Sequence, residues 1–549
     1  MITIITMIDI EDTVPLGTTM RIKKPVRSWS GVLVVTIVMK PDKFSCPFNC
    51  HYCPNETIAN GAETDQPRSY LSTEPAVMRA NQNDFDCARQ VWDRLGCLRK
   101  NGHTIDKIEI IVLGGTFSSY PRSYQYEFMR DIYFAANEFT GNSMRSRLSI
   151  EEEQSINETT RYRIIGVSLE TRPDQINVAE LVRFRLYGCT RVQIGVQHTD
   201  DDILEYINRG HTVQRSIDAI ALLKNFGFKV DIHVMPDLPG SNPDLDKQML
   251  ERVITSPEFS PDYMKIYPCL DVKFTEIRKW KLMGKWKPYA ESSYHELVDV
   301  IVHAKKVSKE WIRFNRIQRD FPPEIEGRVG YISDTIKPNL REYITKECKV
   351  QGVSCKCIRC KEIKNGKMVY PITYNLETYN ASEGIEHYIS ATSPDRSKLY
   401  GFVRLRINGN SKVRSTFAPL PNVALVRELH VYGKILSVSD RQRMLAQHIG
   451  IGKQLMSFAE TLASTYYCSK ISVISGVGVR EYYKKLGYVF VDDDMKYMTK
   501  KIAISMLTYI HMRYCLQGKS FFVDISLMVS AFVSFVVLGY LAVATPLVF

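Results

Sequence analysis

CPFNCHYCPN, Cys46–Asn55, places three thiols in a short proline-flanked loop directly behind a run of β-branched residues, GVLVVTIVM at 31–39. The spacing Cys46-x3-Cys50-x2-Cys53 lets three thiolates take three irons of a cubane and leaves the fourth iron without a protein ligand. An open iron is a place for a cofactor or substrate to coordinate, and an iron–sulfur cluster with S-adenosylmethionine (SAM) is a known route to radical chemistry. Two other readings stand beside it: a zinc site that borrows His51 as its missing ligand, and reduced structural cysteines. The preceding strand and the Tyr52-Cys53-Pro54 context favour the cluster.

Outward from that loop, from about residue 30 to 320, short β-branched runs alternate with helical stretches: KIEIIVLGGTF, RIIGVSLETRPD, RVQIGVQH, KVDIHVMPDLPG and MKIYPC. The alternation predicts βα units around a parallel sheet of about six strands, an α/β fold closing as a partial or full barrel. Barrel chemistry sits at the C-terminal ends of strands. Gly114-Gly115-Thr116, Glu170-Thr171-Arg172, Gln197-His198 and Asp237 are therefore expected to converge. The polar stretch 141–160 reads as an exposed insertion.

The chain of 549 residues, 44% apolar and 24% charged, has the composition of an ordinary globular protein with more than one core. Its formal charge of +12 favours an anionic partner, RNA or a membrane surface, over an acidic protein. Thirteen cysteines, an odd number with six in two tight groups, argue against a disulfide framework and for metal chemistry in a reducing compartment. The N-terminal MITIITMIDIEDTVPLG lacks the basic start of a secretory or mitochondrial presequence. From Ile525 to Phe549 there is no charge. As a helix this run would be about 37 Å long, enough for a bilayer core of about 30 Å. It reads as a transmembrane tail anchor with the catalytic domains in the cytosol, Arg513 and Lys519 preceding it; a buried helix is the alternative.

The second thiol group, Cys355, Cys357 and Cys360, favours a structural zinc, with Cys348 the nearest candidate for a fourth ligand and an unmetallated loop as the bland reading. From about Lys398 strands lead into Gln447-His448-Ile449-Gly450-Ile451-Gly452-Lys453 at a helix start. Small glycines there let backbone N–H groups approach a pyrophosphate, though any tight strand–helix turn uses such a pair.

KKPVRSWSGV, EPAVMRA, HTIDKIEIIVLGGTF, LETRPD, GCTRVQIGVQH, NRGHTV, HVMPDLPG, KIYP, RIQRDFP, CKCIRC, VRELHVYG and ISVISGVGVREYYKKLGY together resemble one family over roughly residues 22–502. That family is the catalytic subunit of Elongator, a radical SAM protein fused to a GNAT-type acetyltransferase. The resemblance implies that Cys46, Cys50 and Cys53 hold a 4Fe-4S cluster, that Gly114, Gly115 and Thr116 meet the methionyl group of SAM, and that Glu170, Arg172 and Gln197 line its pocket. It implies that Lys265 projects into the barrel centre. The strand KISVISGV and the helix REYYKKLGY after the glycine turn look like an acetyl-CoA fold, in which Tyr482 or Tyr483 would protonate the leaving thiolate and Glu428 is a base candidate. The candidate catalytic residues are thus Tyr482, Tyr483 and Lys265; the candidate coenzyme turn comprises Gln447, His448, Gly450, Gly452 and Lys453.

Family members commonly have a longer first cysteine gap and a longer basic N-terminal region; here Arg21, Lys23, Lys24 and Arg27 remain of that region as possible phosphate contacts. The implied activity is formation of 5-carboxymethyluridine at the wobble uridine of tRNA, acting on the anticodon stem-loop with Elongator-type partner subunits. A protein lysine acetyltransferase with a SAM-stabilised barrel, and a membrane-tethered tRNA-binding scaffold, are the alternatives. The expected order is a basic segment at 1–28, the barrel at 29–325, a zinc linker at 326–396, the GNAT domain at 397–502, a juxtamembrane segment at 503–520 and an anchor at 521–549. The anchor would address the mitochondrial outer membrane in preference to the endoplasmic reticulum.

Overall fold

The computed structural model describes residues 30–41, 46–140, 145–325, 329–331, 339–364, 367–408, 423–433, 450–491 and 496–502. Seven strands form one parallel sheet in chain order: β1 (Leu33–Val38), β2 (Lys107–Leu113), β3 (Arg163–Thr171), β4 (Cys189–Gln197), β5 (Lys229–Val234), β6 (Tyr263–Ile266) and β7 (Arg313–Arg316). β1 and β7 are its edges, so the barrel is partial. The outer face is covered by helices: Leu33, Val35 and Ile37 of β1 are fully buried in a cluster with Val91 and Leu95 of the helix Cys87–Lys100. Helix starts are capped where the sequence turns from strand to helix; Asp86 accepts from Arg89 N at 2.8 Å and Asn242 from Leu245 N at 3.0 Å.

The seventh strand is one more than the alternation predicts, because RFNR is short and half polar. Within 141–160, Ser149 and Glu152 form a reciprocal cap on the helix Ile150–Asn157, so part of the presumed insertion is ordered structure packed through Ile150 and Asn157.

A second, mixed sheet contains β8 (Thr373–Ala381), β9 (Gly384–Thr392), β10 (Leu399–Ile407), β11 (Val423–Val431), β12 (Lys470–Val473), β13 (Val489–Phe490) and β14 (Met498–Lys501), in the order β13-β14-β12-β11-β10-β9-β8. β8 and β9 fall where the sequence reading puts a linker; the edge strand β8 buries few of its residues and carries no clean alternation. β11 and β12 are parallel, paired from Val423↔Lys470 to Val426↔Val473. Past Val426 the two strands part, and β11 runs on to Val431.

The second sheet packs on the N-terminal rim of the first. His430 faces the Ser30 carbonyl at 3.0 Å, Arg427 donates to the Phe228 carbonyl, and a Cβ on Gly476 would meet the Ile165 carbonyl at 2.0 Å, so the backbones touch there. A buried charge network locks this contact. Arg427 pairs with Asp262 and Glu386, Arg406 with Glu386, Arg404 with Glu428 and Asp262, and Lys224 lies between Asp262 and Glu386. Trp311 stacks on Tyr379 at 3.9 Å beside it.

The membrane localisation expected from the C-terminal run is corrected. Among the described residues no helix is long and apolar enough to cross a membrane, and residues 503–549 lie outside the described set. The physical reason is that a charge-free apolar run satisfies a span and a packed segment alike, so hydropathy alone does not assign it to a bilayer. Arg21, Lys23, Lys24, Arg27, Gln447 and His448 also lie outside the described residues.

Candidate functional site

The cysteine loop sits at the C-terminal rim, after β1. Cys50 is buried, and its Sγ accepts from Arg172 Nη1 at 3.4 Å and Arg209 Nη1 at 3.5 Å. Burial pushes the Cys50 thiol up, but the two guanidiniums overcome it and hold the thiol below its usual range. Burial dominates at Cys53 and raises it, with Arg68 opposing. Cys46 Sγ lies 3.3 Å from Thr116 Oγ1. His51 packs its ring on Trp280 with centroids 4.8 Å apart, and its Nδ1 faces the Tyr206 carbonyl.

Gly114 and Gly115 turn at φ 146° and 83°. A Cβ at Gly114 would sit 2.8 Å from the Tyr120 hydroxyl, and one at Gly115 would sit 2.8 Å from the Arg68 carbonyl, so only glycine fits where this turn meets the cysteine loop. Glu170 accepts from the Tyr70 hydroxyl at 2.5 Å and, with Gln197, lines a cavity of about 1100 Å³. Arg172 is placed differently from the expectation of a pocket residue. It is spent on Cys50, on Asp174 at 2.9 Å, on the Arg209 carbonyl at 2.6 Å and on the Phe48 ring. Asp237 and His198 also turn away; Asp237 accepts from the Tyr289 and Ala290 amides, and His198 faces Asp246.

Lys265 stands in the barrel centre and donates to Gln193 Oε1. Burial brings its pKa down to about 8, against the pull of Asp231. Four lumen residues escaped the sequence reading: Asp231, His233, Asn315 and Arg316. The signal was present as polar residues alternating with apolar ones, Asp231 and His233 in KVDIHV and Asn315 and Arg316 in RFNR, since a parallel strand covered on both faces should be apolar throughout. Gln197 Oε1, Asp231 Oδ1 and His233 Nε2 are buried with no hydrogen-bond partner among the described residues. Burial first, then Lys265, holds His233 neutral, well below its ordinary pKa.

The same cavity continues to the second sheet. Gly450, at φ 85°, caps the helix Ile451–Thr465, and Gly450, Gly452, Lys453, Tyr482 and Tyr483 line the cavity. A Cβ on Gly452 would lie 2.8 Å from the Tyr482 hydroxyl, so the turn and that phenol are neighbours. Burial raises the Tyr482 hydroxyl to about 12, while Tyr483 is pushed higher and packs between Tyr482 and Tyr488. Glu428 is poorly placed as a base. Burial raises it, but Arg404 at 2.9 Å overrides that and keeps the carboxylate ionised, and Tyr263 donates to it as well.

Cys355, Cys357 and Cys360 hold their sulfurs within 4.8 Å of one another, and the Lys305 ammonium lies 4.0 Å from Cys357 and 3.8 Å from Cys360. Cys348, buried in the helix Leu340–Val350, is outside that group.

A parallel partial barrel with three cysteines behind its first strand defines a radical SAM protein. Residues 44–253 match the Radical SAM superfamily and residues 261–349 the Radical SAM C-terminal domain. The chain belongs to the family of the tRNA uridine(34) acetyltransferases and Elongator complex protein 3. It is 39% identical over 481 residues to the tRNA uridine(34) acetyltransferase of Methanocaldococcus infernus, covering 85% of each chain. It is 36% identical over 481 residues to Elongator complex protein 3 of Homo sapiens, covering 85% of this chain and 84% of the human one. The solved archaeal Methanocaldococcus infernus Elp3 with an N-terminal deletion superposes with a TM-score of 0.70 at 36% identity, covering 86% of this chain and 100% of that one. Radical SAM membership implies a 4Fe-4S cluster and SAM. The residues present fit both: a thiol held low by two guanidiniums suits an anionic cluster, and orphaned polar atoms facing the cavity suit a polar ligand.

Proposed function

We propose that this protein converts the wobble uridine of tRNA anticodons to 5-carboxymethyluridine, drawing the two-carbon unit from acetyl-CoA. The observation that carries this reading is the single cavity of about 1100 Å³, which joins the C-terminal rim of the barrel to the glycine turn of the second sheet. Two separate enzymes fused by chance would need no shared interior. Cys46, Cys50 and Cys53 would hold the cluster, with Gly114, Gly115, Thr116, Glu170 and Gln197 around SAM. When bound, that pair supplies a 5'-deoxyadenosyl radical able to take a hydrogen atom from an unactivated methyl group.

The rest falls to this chain's own residues. The second sheet is read as a GNAT-type domain, because its parallel pair β11 and β12 parts beside a glycine turn that opens a helix. Gly450, Gly452 and Lys453 would take the coenzyme's pyrophosphate. Tyr482, protonated at neutral pH and beside that turn, would give its proton to the leaving thiolate; Tyr483 is read as packing. Lys265 would hold the acyl oxygen at the barrel centre, and an unstacked anticodon base would enter from the C-terminal rim. A protein lysine acetyltransferase gains little from this site, since Glu428 is tied to Arg404. We assign a structural zinc to Cys355, Cys357 and Cys360, whose converging sulfurs suit one soft ion and whose charge Lys305 would balance.

The test is nucleoside mass spectrometry after anaerobic reconstitution with iron, sulfide, SAM, reductant, acetyl-CoA and unmodified tRNA. Carboxymethyluridine from the parent and none from Cys50→Ala supports the reading. Consumption of acetyl-CoA by a cluster-loaded enzyme without modified uridine, in the presence of partner subunits, removes it.

A further inference from the structure

The two halves meet at the end of the barrel where chemistry is not expected. Strand-end catalysis belongs to the C-terminal rim, where the cysteine loop lies. The second domain instead covers the opposite rim, touching Ser30, Phe228 and Asp262, each just before a strand, and Ile165, the third residue of β3. The glycine turn and Tyr482 are therefore separated from the cysteine loop by the length of the barrel strands. For β2, with 7 residues, that is about 20 Å at about 3.3 Å per residue.

The interior of a closed eight-stranded barrel is ordinarily filled by layers of branched side chains. This one is not. Val34 of β1 is 41% exposed, although its neighbours Leu33 and Val35 are 0% exposed on the helix side of the strand. Thr36, Glu109 and Gly166 line the same space, and at Gly166 the missing side chain leaves room for a Cβ in ordinary contact with Thr190 Oγ1 at 3.4 Å and Glu109 Cγ at 3.7 Å. One cavity is lined by Gly476 and Leu429, where β11 and β12 have parted, by Val34 and Gly166, and by Lys265, His233 and Gln197.

We infer that the barrel lumen is the acyl channel of the enzyme: the acetyl-bearing pantetheine arm of the coenzyme enters through the N-terminal rim, between the parted strands, and reaches Lys265 from below. This rests on the function proposed above and adds a route to it. The small residues Val34, Thr36 and Gly166 make the passage, and the Glu109–Arg191 ion pair, 2.9 Å long, walls it at mid-height.

The experiment is a plug. Val34→Trp in the cluster-loaded full chain is compared with the parent for thiol release from acetyl-CoA with tRNA present, for 5'-deoxyadenosine formation from SAM, and for carboxymethyluridine. The channel predicts that carboxymethyluridine falls at least about tenfold while 5'-deoxyadenosine formation from SAM, which belongs to the far end of the cavity, stays within about twofold. Carboxymethyluridine at the parent's rate, with the Val34→Trp substitution confirmed by mass spectrometry, overturns it. A parent that makes no carboxymethyluridine refutes the proposed function instead, which keeps the two failures apart. Against misfolding of the plug, a second measurement uses Val34→Cys in the same holoprotein, its alkylation followed by peptide mass spectrometry. A non-hydrolysable ketone analogue of acetyl-CoA should slow alkylation about tenfold, and adenosine 3',5'-bisphosphate, which lacks the arm, should not. Equal protection by both, or by neither, overturns the channel.

Discussion

Removing one carboxylate from the buried interface network should cost far more than removing one cation. The network holds Asp262, Glu386 and Glu428 against Lys224, Arg404, Arg406 and Arg427, one cation in excess, and all seven side chains are buried. Asp262 accepts from Arg427 Nη1 at 2.9 Å and from the Val230 amide at 2.9 Å, and lies 3.5 Å from Arg404 and 4.0 Å from Lys224. Asp262→Asn raises the excess to two and leaves Glu386 as the one carboxylate still paired with Arg427, a loss of about 3–5 kcal/mol for a broken buried pair. Lys224 is the reverse case. Its Nζ has no hydrogen-bond partner among the described residues, its nearest carboxylate oxygens are 3.9 and 4.0 Å away, and burial lowers its pKa to about 8. Lys224→Met removes the excess charge and should cost less than about 1 kcal/mol.

Native-state hydrogen exchange of the β5 and β11 amides reads both locally, without requiring the whole chain to unfold in two states. Acid supplies a cross-check. Burial raises the Asp262 carboxyl, but Arg427, Lys224 and Arg404 overcome it and hold it well below the usual carboxylate range. Its contribution is therefore complete above an unfolded value of about 3.9 and is lost as pH falls toward the folded one. Asp262→Asn should flatten the acid limb of the parent's stability curve. An Asp262→Asn protein protected to within about 1 kcal/mol of the parent, or a Lys224→Met protein as weakened as Asp262→Asn, refutes this account of the interface.

Tyr482→Phe should slow thiol release from acetyl-CoA by about a hundredfold, the lower range for a lost general acid, whereas Tyr483→Phe should stay within a few-fold because its hydroxyl is enclosed. Cys50→Ala should abolish 5'-deoxyadenosine formation and leave thiol release standing, checked by liquid chromatography of both products. Lys265 is charged below its pKa of about 8, so uridine modification should fall as pH rises through that value. Lys265→Arg should remove the fall between about pH 7 and 9.5, because a guanidinium stays protonated there. Chelation of the zinc proposed at Cys355, Cys357 and Cys360 should lower the thermal midpoint without changing the initial rate of thiol release at 20 °C, the chelated metal being quantified by mass spectrometry.

Much of this was legible from residue order. The βα alternation, the cysteine spacing and the Gly114-Gly115 turn each carry a local physical requirement that a sequence displays. What escaped was relational. Arg172 reads as a strand-end residue available to a ligand, and only its neighbours Cys50, Asp174 and Phe48 show it already occupied. Tyr482 and Tyr483 are adjacent and chemically identical; the approach of Gly452 to one of them separates their roles. β8 hid in an apparent linker because an edge strand needs little hydrophobic alternation, and β9, an inner strand, because its buried Glu386, His387 and Ser390 break up the apolar run. The C-terminal apolar run shows the opposite error, in which a strong compositional signal was read as a location.

The cavity's ends also bear on kinetics. With the glycine turn at one end of the cavity and the cysteine loop at the other, the function proposed here would bring the coenzyme and the nucleic acid through different doors. Neither has to leave before the other arrives, so initial-rate plots for the two substrates should intersect, with no parallel-line pattern, and excess tRNA should leave the apparent affinity for acetyl-CoA free of competitive inhibition. An enzyme arranged this way can keep its acyl donor loaded while it waits for RNA.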